Sequence, residues 1–367
     1  VGSLVAVNNY AFLLTSGQNS AGIIASSVGG TGGAGGSVGS KEAGDSKLGF
    51  GGRGGAGGDA SQVTVKNLWS IETFGDGSSG IVARSQGGSG GKSGDSYSKY
   101  VGIGGGLFDT TITKNITWLG ASSAGGNGAD VTIDNGSADA MGTSVISTHG
   151  NQSNAIDAES LGGNGGAGGA GSVAADGYLA LAGDGGHAGV GGVVTVNNYA
   201  FLLTSGQNSV GIIASSVGGT GGAGGSAGNE KIDGSVLGLG GGGGAGGDAS
   251  QVTIKNLCGI ETLGDGSSGI VVRSQGGDGG KAGDAYSKYV SLGGGVFDKI
   301  ITQNITWLGA SSVGGNGAEA RVDNGSADAM GASVISTQGN QSNAIDVESL
   351  GGNGGAGSVA AGGYLML

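Results

Sequence analysis

The chain has 367 residues, of which 95 are glycine and none is proline. Glycine fills over a quarter of it against a usual share of roughly 7%, and the lack of a proline-bearing Gly-X-Y register excludes a collagen triple helix. A formal net charge of −12 disfavours nucleic-acid backbones, whose binding needs clustered lysine and arginine. No apolar run approaches the ~18 residues that span a membrane, so no transmembrane segment is expected. Cys258 is the only cysteine, which leaves no internal disulfide framework and no cysteine-based metal site.

The first element is "VAVNN" at 5–9, an alternation of apolar and polar residues that predicts a half-buried strand. It returns as "VTVKN" at 63–67 and "VTIDN" at 131–135. Next comes a pattern, T-x-G-x-x-S-x-x-I-x-[AV]-x-S-x-G-G, that begins at Thr15, Thr73, Thr148, Thr204, Thr262 and Thr337. Within it "GIVARSQ" is a second strand. Arg84 is too costly to bury unpaired, so Ile81, Ala83 and Ser85 face inward and Val82, Arg84 and Gln86 outward. By the same rule Ile156, Ala158 and Ser160 point in, while Asp157 and Glu159 point out. A shorter unit, "ITKNITWLGASSAGG" at 112–126, keeps both ends of the pattern and drops its middle. Trp118 and its partner Trp307 are expected to fill the core or to cover a solenoid edge.

From Val5/Val194 to Gly168/Gly357 the chain repeats without a gap, 189 residues apart, with about three quarters of the paired positions identical. The organisation is therefore a first copy at 1–193 and a second at 194–367, each with three full units and one short one. The chain reads as a segment of a longer array. No unit is large enough to bury its own apolar face, but stacked units make a continuous core. The predicted fold is all-β: a parallel β-solenoid, a right-handed β-helix, of about eight coils in one continuous body. Asn9, Asn67, Asn115 and Asn135 end the same strand in successive units. They are expected to tolerate a left-handed corner and to stack as a hydrogen-bonded ladder.

Between units lie glycine segments with a period of three, such as "GGTGGAGGSVG" at 29–39. A polyproline-II-type helix has three residues per turn and no internal hydrogen bonds, so glycine at two positions in three leaves two bare edges for close neighbours. These segments are expected either as a polyglycine-II-like layer on one side of the solenoid, with Ile24 and Val28 packed beneath it, or as loops. The ordering cost of glycine weighs against the layer.

Chemical sites are sparse. A Ser153–His149–Asp157 triad can be drawn, but the repeat partner of His149 is Gln338, and a position that accepts either residue reads as a solvated turn. His187 is the only other histidine. "GGSGGKSGD" at 87–95 has the wrong spacing for a phosphate loop. "GGAGGD" at 54–59 and 243–248 fits the first half of a calcium-binding nonapeptide, making Asp59 and Asp248 the candidate calcium ligands; Ser61 and Ser250 stand where the large apolar residue belongs, and the motifs are not in tandem. Trp69 pairs with Cys258 between the copies, and Cys258 reads as a passive thiol. "NGS" at Asn135 and Asn324 reads as a turn rather than a glycosylation site.

"GDGSSGIVARSQGGSGG" at 75–91 and its counterpart at 264–280 resemble the repeats of glycine-rich autotransporter passengers from Gram-negative bacteria. "GQNSAGIIASSVGGTGG" at 17–33 and "GNQSNAIDAESLGGNGG" at 150–166 follow. The triplet segments also resemble, in composition, polyglycine-II bundles of glycine-rich antifreeze proteins and phage tail-fibre tips. The autotransporter resemblance implies export by type V secretion and a β-helical passenger on the outer-membrane surface or released. The expected function is that of a non-enzymatic extracellular structural repeat, an adhesin stalk or a filament-forming shaft, with no cofactor. Its partners would be itself or neighbouring repeats end to end, and host or abiotic surfaces. The alternatives are ice binding, which needs an exposed threonine array from Thr15, Thr73 and Thr148, and a calcium-stabilised β-roll.

Overall fold

The structure is a computed structural model that describes residues 1–38, 47–49, 51–99, 123–173, 179–227, 237–286, 290–291, 310–326, 333–358, 360–361 and 365–366. Short apolar-polar alternations bounded by glycine and asparagine cannot bury a helical stripe, and the described residues hold no α-helix, only a single 3-10 turn at Ala138–Ala140. Three parallel sheets of six strands each form the body. The first holds Val5–Asn9, Val63–Asn67, Val131–Asn135, Val194–Asn198, Val252–Asn256 and Ala320–Asn324. The second holds Leu13–Thr15, Ile71–Thr73, Val145–Thr148, Phe201–Thr204, Ile260–Thr262 and Ile335–Thr337. The third holds Ile23–Val28, Ile81–Gln86, Ile156–Leu161, Ile212–Val217, Ile270–Gln275 and Ile345–Leu350. One strand of each makes a coil, and coils stack as a parallel β-solenoid that runs unbroken from the first copy into the second through Val131↔Val194 and Ile156↔Ile212.

The pairing matches like with like. Ile81 lies opposite Ile23 and Ile156, and Ser85 opposite Ser27 and Ser160. The inward faces are as the alternation predicts: Val63, Val65, Ile71, Ile81 and Ala83 of the second coil join one core with their counterparts in every other coil. Arg84 faces out and stands 3.3 Å from Glu159 of the next coil.

The sheets count six coils among the described residues, not about eight. Val63–Asn67 pairs directly with Val131–Asn135, so no strand of the short unit enters between them. Most of that unit, with Asn115, Trp118 and Trp307, lies outside the described residues. Its tail instead supplies a glycine segment: Gly126 donates to the Gly88 carbonyl and Gly125 to the His187 carbonyl.

The glycine segments are ordered, and their hydrogen bonds have a period of three. Gly29, Gly32 and Gly35 donate to the carbonyls of Gln86, Ser89 and Lys92 at 2.8 Å each. Bonding to one neighbour at every third residue is the signature of threefold, polyglycine-II-like helices. Each coil contributes two: an outgoing helix after the third sheet, as at 29–37 and 87–95, and a returning one before the first sheet, as at 52–59. Outgoing helices run parallel to one another, and so do returning ones. Between the rows they are antiparallel: Gly52, Gly55 and Gly58 donate to Gly36, Gly33 and Gly30, while Gly88, Gly91 and Gly94 donate to Gly58, Gly55 and Gly52. A Cβ on Gly90 or Gly91 would stand 2.2 Å or 2.1 Å from a backbone oxygen. Crowding of that kind, not flexibility, fixes glycine at both positions.

The helices pair with each other rather than folding back over the third sheet. Ile24 and Val28 consequently stay exposed, at 66% and 55%, instead of packing beneath a layer. The left-handed corner also lies elsewhere than expected. Positive φ occurs at Asn19, Gly77, Gln152, Asn208, Gly266 and Gln341, one per coil, just before the serine of the repeat. The strand-ending asparagines are not among them.

Candidate functional site

The side chains that recur in the motif converge on coil-to-coil ladders. Asn9, Asn67, Asn135, Asn198, Asn256 and Asn324 form a chain of amide bonds, each Nδ2 donating to the next Oδ1 at 2.7–2.8 Å. Asn67 also donates to the Trp69 carbonyl at 2.7 Å, closing the turn behind the strand. An amide is the one small side chain that both donates and accepts in line, so it alone can propagate such a file.

A second ladder runs through Ser20, Ser78, Ser153, Ser209, Ser267 and Ser342. The backbone N–H of Ser78 donates to Ser153 Oγ at 2.9 Å, and Ser153 Oγ donates to the Gly75 carbonyl at 3.0 Å. Thr148 joins it by donating from Oγ1 to the Ser153 carbonyl at 2.6 Å. A third set closes each coil. Ser85 Oγ, at the inner end of the third sheet, accepts from Ala129 N–H at 2.8 Å and donates to the Ser61 carbonyl at 3.2 Å. It thereby clips chain that is entering the first sheet.

The glycine rows have their own ladder. Two N–H groups of each triplet are used by neighbouring helices, and the third belongs to the outward residue. An acceptor side chain one coil back takes it up: Asn164 Oδ1 accepts from Thr220 N–H, Asp278 Oδ1 from Asn353 N–H and Asp95 Oδ1 from Ala170 N–H, at 2.7–2.9 Å.

These ladders absorb most of the sequence candidates. Asp59 accepts from Asn127 N–H at 2.6 Å and Asp248 from Asn316 N–H at 2.6 Å, one of these same capping positions. Asp184 does so for Gly242 at 2.8 Å, its carboxyl held above the usual range by burial against that hydrogen bond. His187 Nδ1 accepts from Ala245 N–H at 3.1 Å. Among the described residues no three His, Cys, Asp or Glu side chains group to hold a metal ion.

The drawn triad is not assembled. The Ser153 hydroxyl is fully buried and engaged with backbone. His149 lies on the surface, stacked on Phe74 at 4.6 Å, with Ser147 at 3.0 Å and Glu72 at 3.4 Å from its Nε2. Gln338, its counterpart, meets Glu261 at 3.0 Å, so both residues serve the same coil-to-coil pairing. Thr73, Thr148, Thr204 and Thr262 are fully buried and present no exposed array. Trp69 is 55% exposed and Cys258 half-buried, which explains why that site tolerates either.

One polar group breaks the pattern. Asp157 lies between Val82 and Ile213 on the outer face of the third sheet. Burial, and then the neighbouring Glu159 charge, push its carboxyl up to about 6, against the pull of Asn154 and Arg84. Its Oδ1 has no hydrogen-bond partner.

No family model and no curated protein matches the chain. Among solved structures, PfbA, a surface adhesin of Streptococcus pneumoniae, aligns at 10% identity over 80% of this chain and 82% of that one, with a TM-score of 0.08. At that score the alignment carries no argument. What the geometry defines by itself is a class, the parallel β-solenoid whose coils are extended sideways by a two-row polyglycine layer.

Proposed function

We propose that the chain is a non-enzymatic, extracellular structural repeat of a Gram-negative bacterium. It is displayed on the outer-membrane surface or released, and serves as an adhesin stalk or the shaft of a filament. The observation that supports this reading is the use of the recurring polar side chains. Asparagine, serine and threonine of the motif are spent on joining one coil to the next, and the aspartates and asparagines of the glycine rows cap backbone N–H groups. A repeat whose polar residues are consumed in this way provides rigidity and surface, not a reacting group. The autotransporter resemblance of 75–91 and 264–280 supplies the route of export and the surface location. Attachment to host or abiotic surfaces would use the outward residues of the glycine rows, where the fold leaves identity free.

The test is immunogold labelling of intact bacteria producing the native protein, together with fractionation of cells and medium. Label on the cell surface or in the medium is the expected result. Retention in the cytoplasm overturns the reading.

A further inference from the structure

The two end faces of the solenoid are complementary to each other. We propose that they dock head to tail, the last coil of one copy on the first coil of a second copy, through the same contacts that join the third coil to the fourth. This deepens the scaffold reading above and rests on it for its setting, but not for its geometry.

The argument starts from the 189-residue repeat. The first coil is the counterpart of the fourth, and the sixth that of the third. The junction between third and fourth coils is therefore a worked template for a sixth coil meeting a first one. In that junction Val131–Asn135 pairs with Val194–Asn198, and Ile156–Leu161 with Ile212–Val217, residue for residue. Asn135 donates to Asn198 at 2.8 Å, Ser153 N–H to Ser209 Oγ at 3.0 Å, and Asn154 and Asn164 accept from Val210 and Thr220 N–H. The counterparts on the sixth coil are Asn324, Ser342, Asn343 and Asn353; on the first they are Asn9, Ser20, Ala21 and Thr31. The donors and acceptors are retained across both faces.

The glycine rows make the fit directional. Inside the body a Cβ on Gly222 would stand 2.0 Å from the Gly166 carbonyl oxygen. Gly33 is the counterpart of Gly222, yet a Cβ there meets nothing within 4 Å, and the same holds for Gly30 and Gly36. These three glycines have the bare edge that a neighbour requires and have no neighbour. On the opposite face the template places the carbonyls of Gly352 and Gly355 against them. Of the returning helix 183–191 that completes the internal junction, only Val1 and Gly2 have counterparts in this chain. The end-to-end contact therefore consists of the three sheets and the outgoing row, and is weaker than the internal one.

The test uses sedimentation velocity and negative-stain electron microscopy on the 367-residue protein across a concentration series, with Gly33→Val and Gly222→Val beside it. The wild type is expected to form unbranched assemblies that lengthen with concentration. Each copy adds six coils of about 4.8 Å, roughly 29 Å. Gly33→Val is expected to keep the wild-type melting temperature while its association weakens at least tenfold, whereas Gly222→Val loses folded stability. Monodisperse wild-type monomer at high concentration overturns the proposal, and so does Gly33→Val assembling as well as wild type, which would mean lateral association. If Gly30→Val, Gly33→Val and Gly36→Val all melt below wild type, that edge is occupied within the chain and the proposal also falls. None of these failures touches the surface-location test above, so the two readings fail separately.

Discussion

Asn67 donates from Nδ2 to Asn135 Oδ1 at 2.8 Å, although the two are 68 residues apart in the chain. Both amides are fully buried. Each link of the file is thus a long-range contact that forms only when whole coils stack, which ties local strand ends to global register.

Asn135→Ala removes two of these links and leaves the Asn198 Oδ1 and the Asn67 Nδ2 each one partner short. At ~1 kcal/mol per lost bond and ~1–3 kcal/mol for a buried group left unsatisfied, the expected destabilisation is about 2–4 kcal/mol by chemical unfolding. Asn135→Asp keeps the acceptor, loses the donor and buries a charge. It should be worse than alanine at pH 7 and partly recover at low pH, when the carboxyl protonates.

A glycine scan across one turn should read out the threefold geometry. Gly90→Ala and Gly91→Ala place a methyl 2.2 Å and 2.1 Å from the Ser123 and Gly33 carbonyl oxygens. Each is expected to cost about 3 kcal/mol, at the upper end of overpacking effects. Ser89→Ala and Lys92→Ala, at the outward third position, should stay within about 0.5 kcal/mol. Equal effects at all positions would contradict the helical register of the layer.

Ser85→Ala tests the coil closure. It removes the acceptor for Ala129 N–H and the donor to the Ser61 carbonyl. A loss of about 1–3 kcal/mol is expected, with hydrogen exchange of the Ala129 amide accelerating more than that of Val65 in the centre of its strand.

Asp157 gives the stability a pH dependence of definite sign. Its folded value of about 6 lies above the ordinary 3.8, so the fold favours the protonated form. Its stabilising contribution is complete below pH 4 and is lost as the pH rises through 6. Asp157→Asn should therefore match the wild type near pH 4 and exceed it by about 1–2 kcal/mol at pH 7.5, measured as denaturation midpoints across that range. Asp157→Val, which matches Val82 and Ile213 on either side, should be stabilised at the higher pH as well.

Calcium is expected to leave the melting temperature unchanged, because the Asp59 and Asp248 carboxylates already accept backbone N–H bonds. A calcium-dependent rise that Asp59→Asn abolishes would instead establish a site.

The strands, their inward faces and the asparagine file were legible because each rests on local alternation and exact recurrence. Ile81, Ala83 and Ser85 face inward as the cost of burying Arg84 demands. The coil number was not legible, because the short unit copies both ends of the motif while its tail, Ser123–Gly128, runs in the glycine layer instead of a sheet. The antiparallel pairing of 30–36 with 52–58 was equally hidden. Both segments have the threefold period, but nothing local says which runs bond to which. Ser85 reads from sequence as one more small inward residue. Its partners, Ser61 and Ala129, are 24 and 44 residues away, and their identities carry no signal because only their backbone is used. The left-handed corner was missed because Asn19, Gly77 and Gln152 share a position and no common side chain.

The outward third residue of each triplet bears on how such a chain diversifies. Thr31, Ser89, Asn164, Thr220, Asp278 and Asn353 occupy one such file across successive outgoing helices. Files of this kind stand roughly 9.3 Å apart along each helix and neighbouring helices about 5 Å apart along the solenoid, forming a nearly rectangular grid. Both glycines of the triplet are held by crowding, so mutation there is purged, whereas alanine, lysine, aspartate or threonine is accommodated at the third site. Selection can consequently rewrite the chemistry of the surface one grid point at a time without renegotiating the fold beneath it. Related chains should therefore diverge in what they contact long before they diverge in shape.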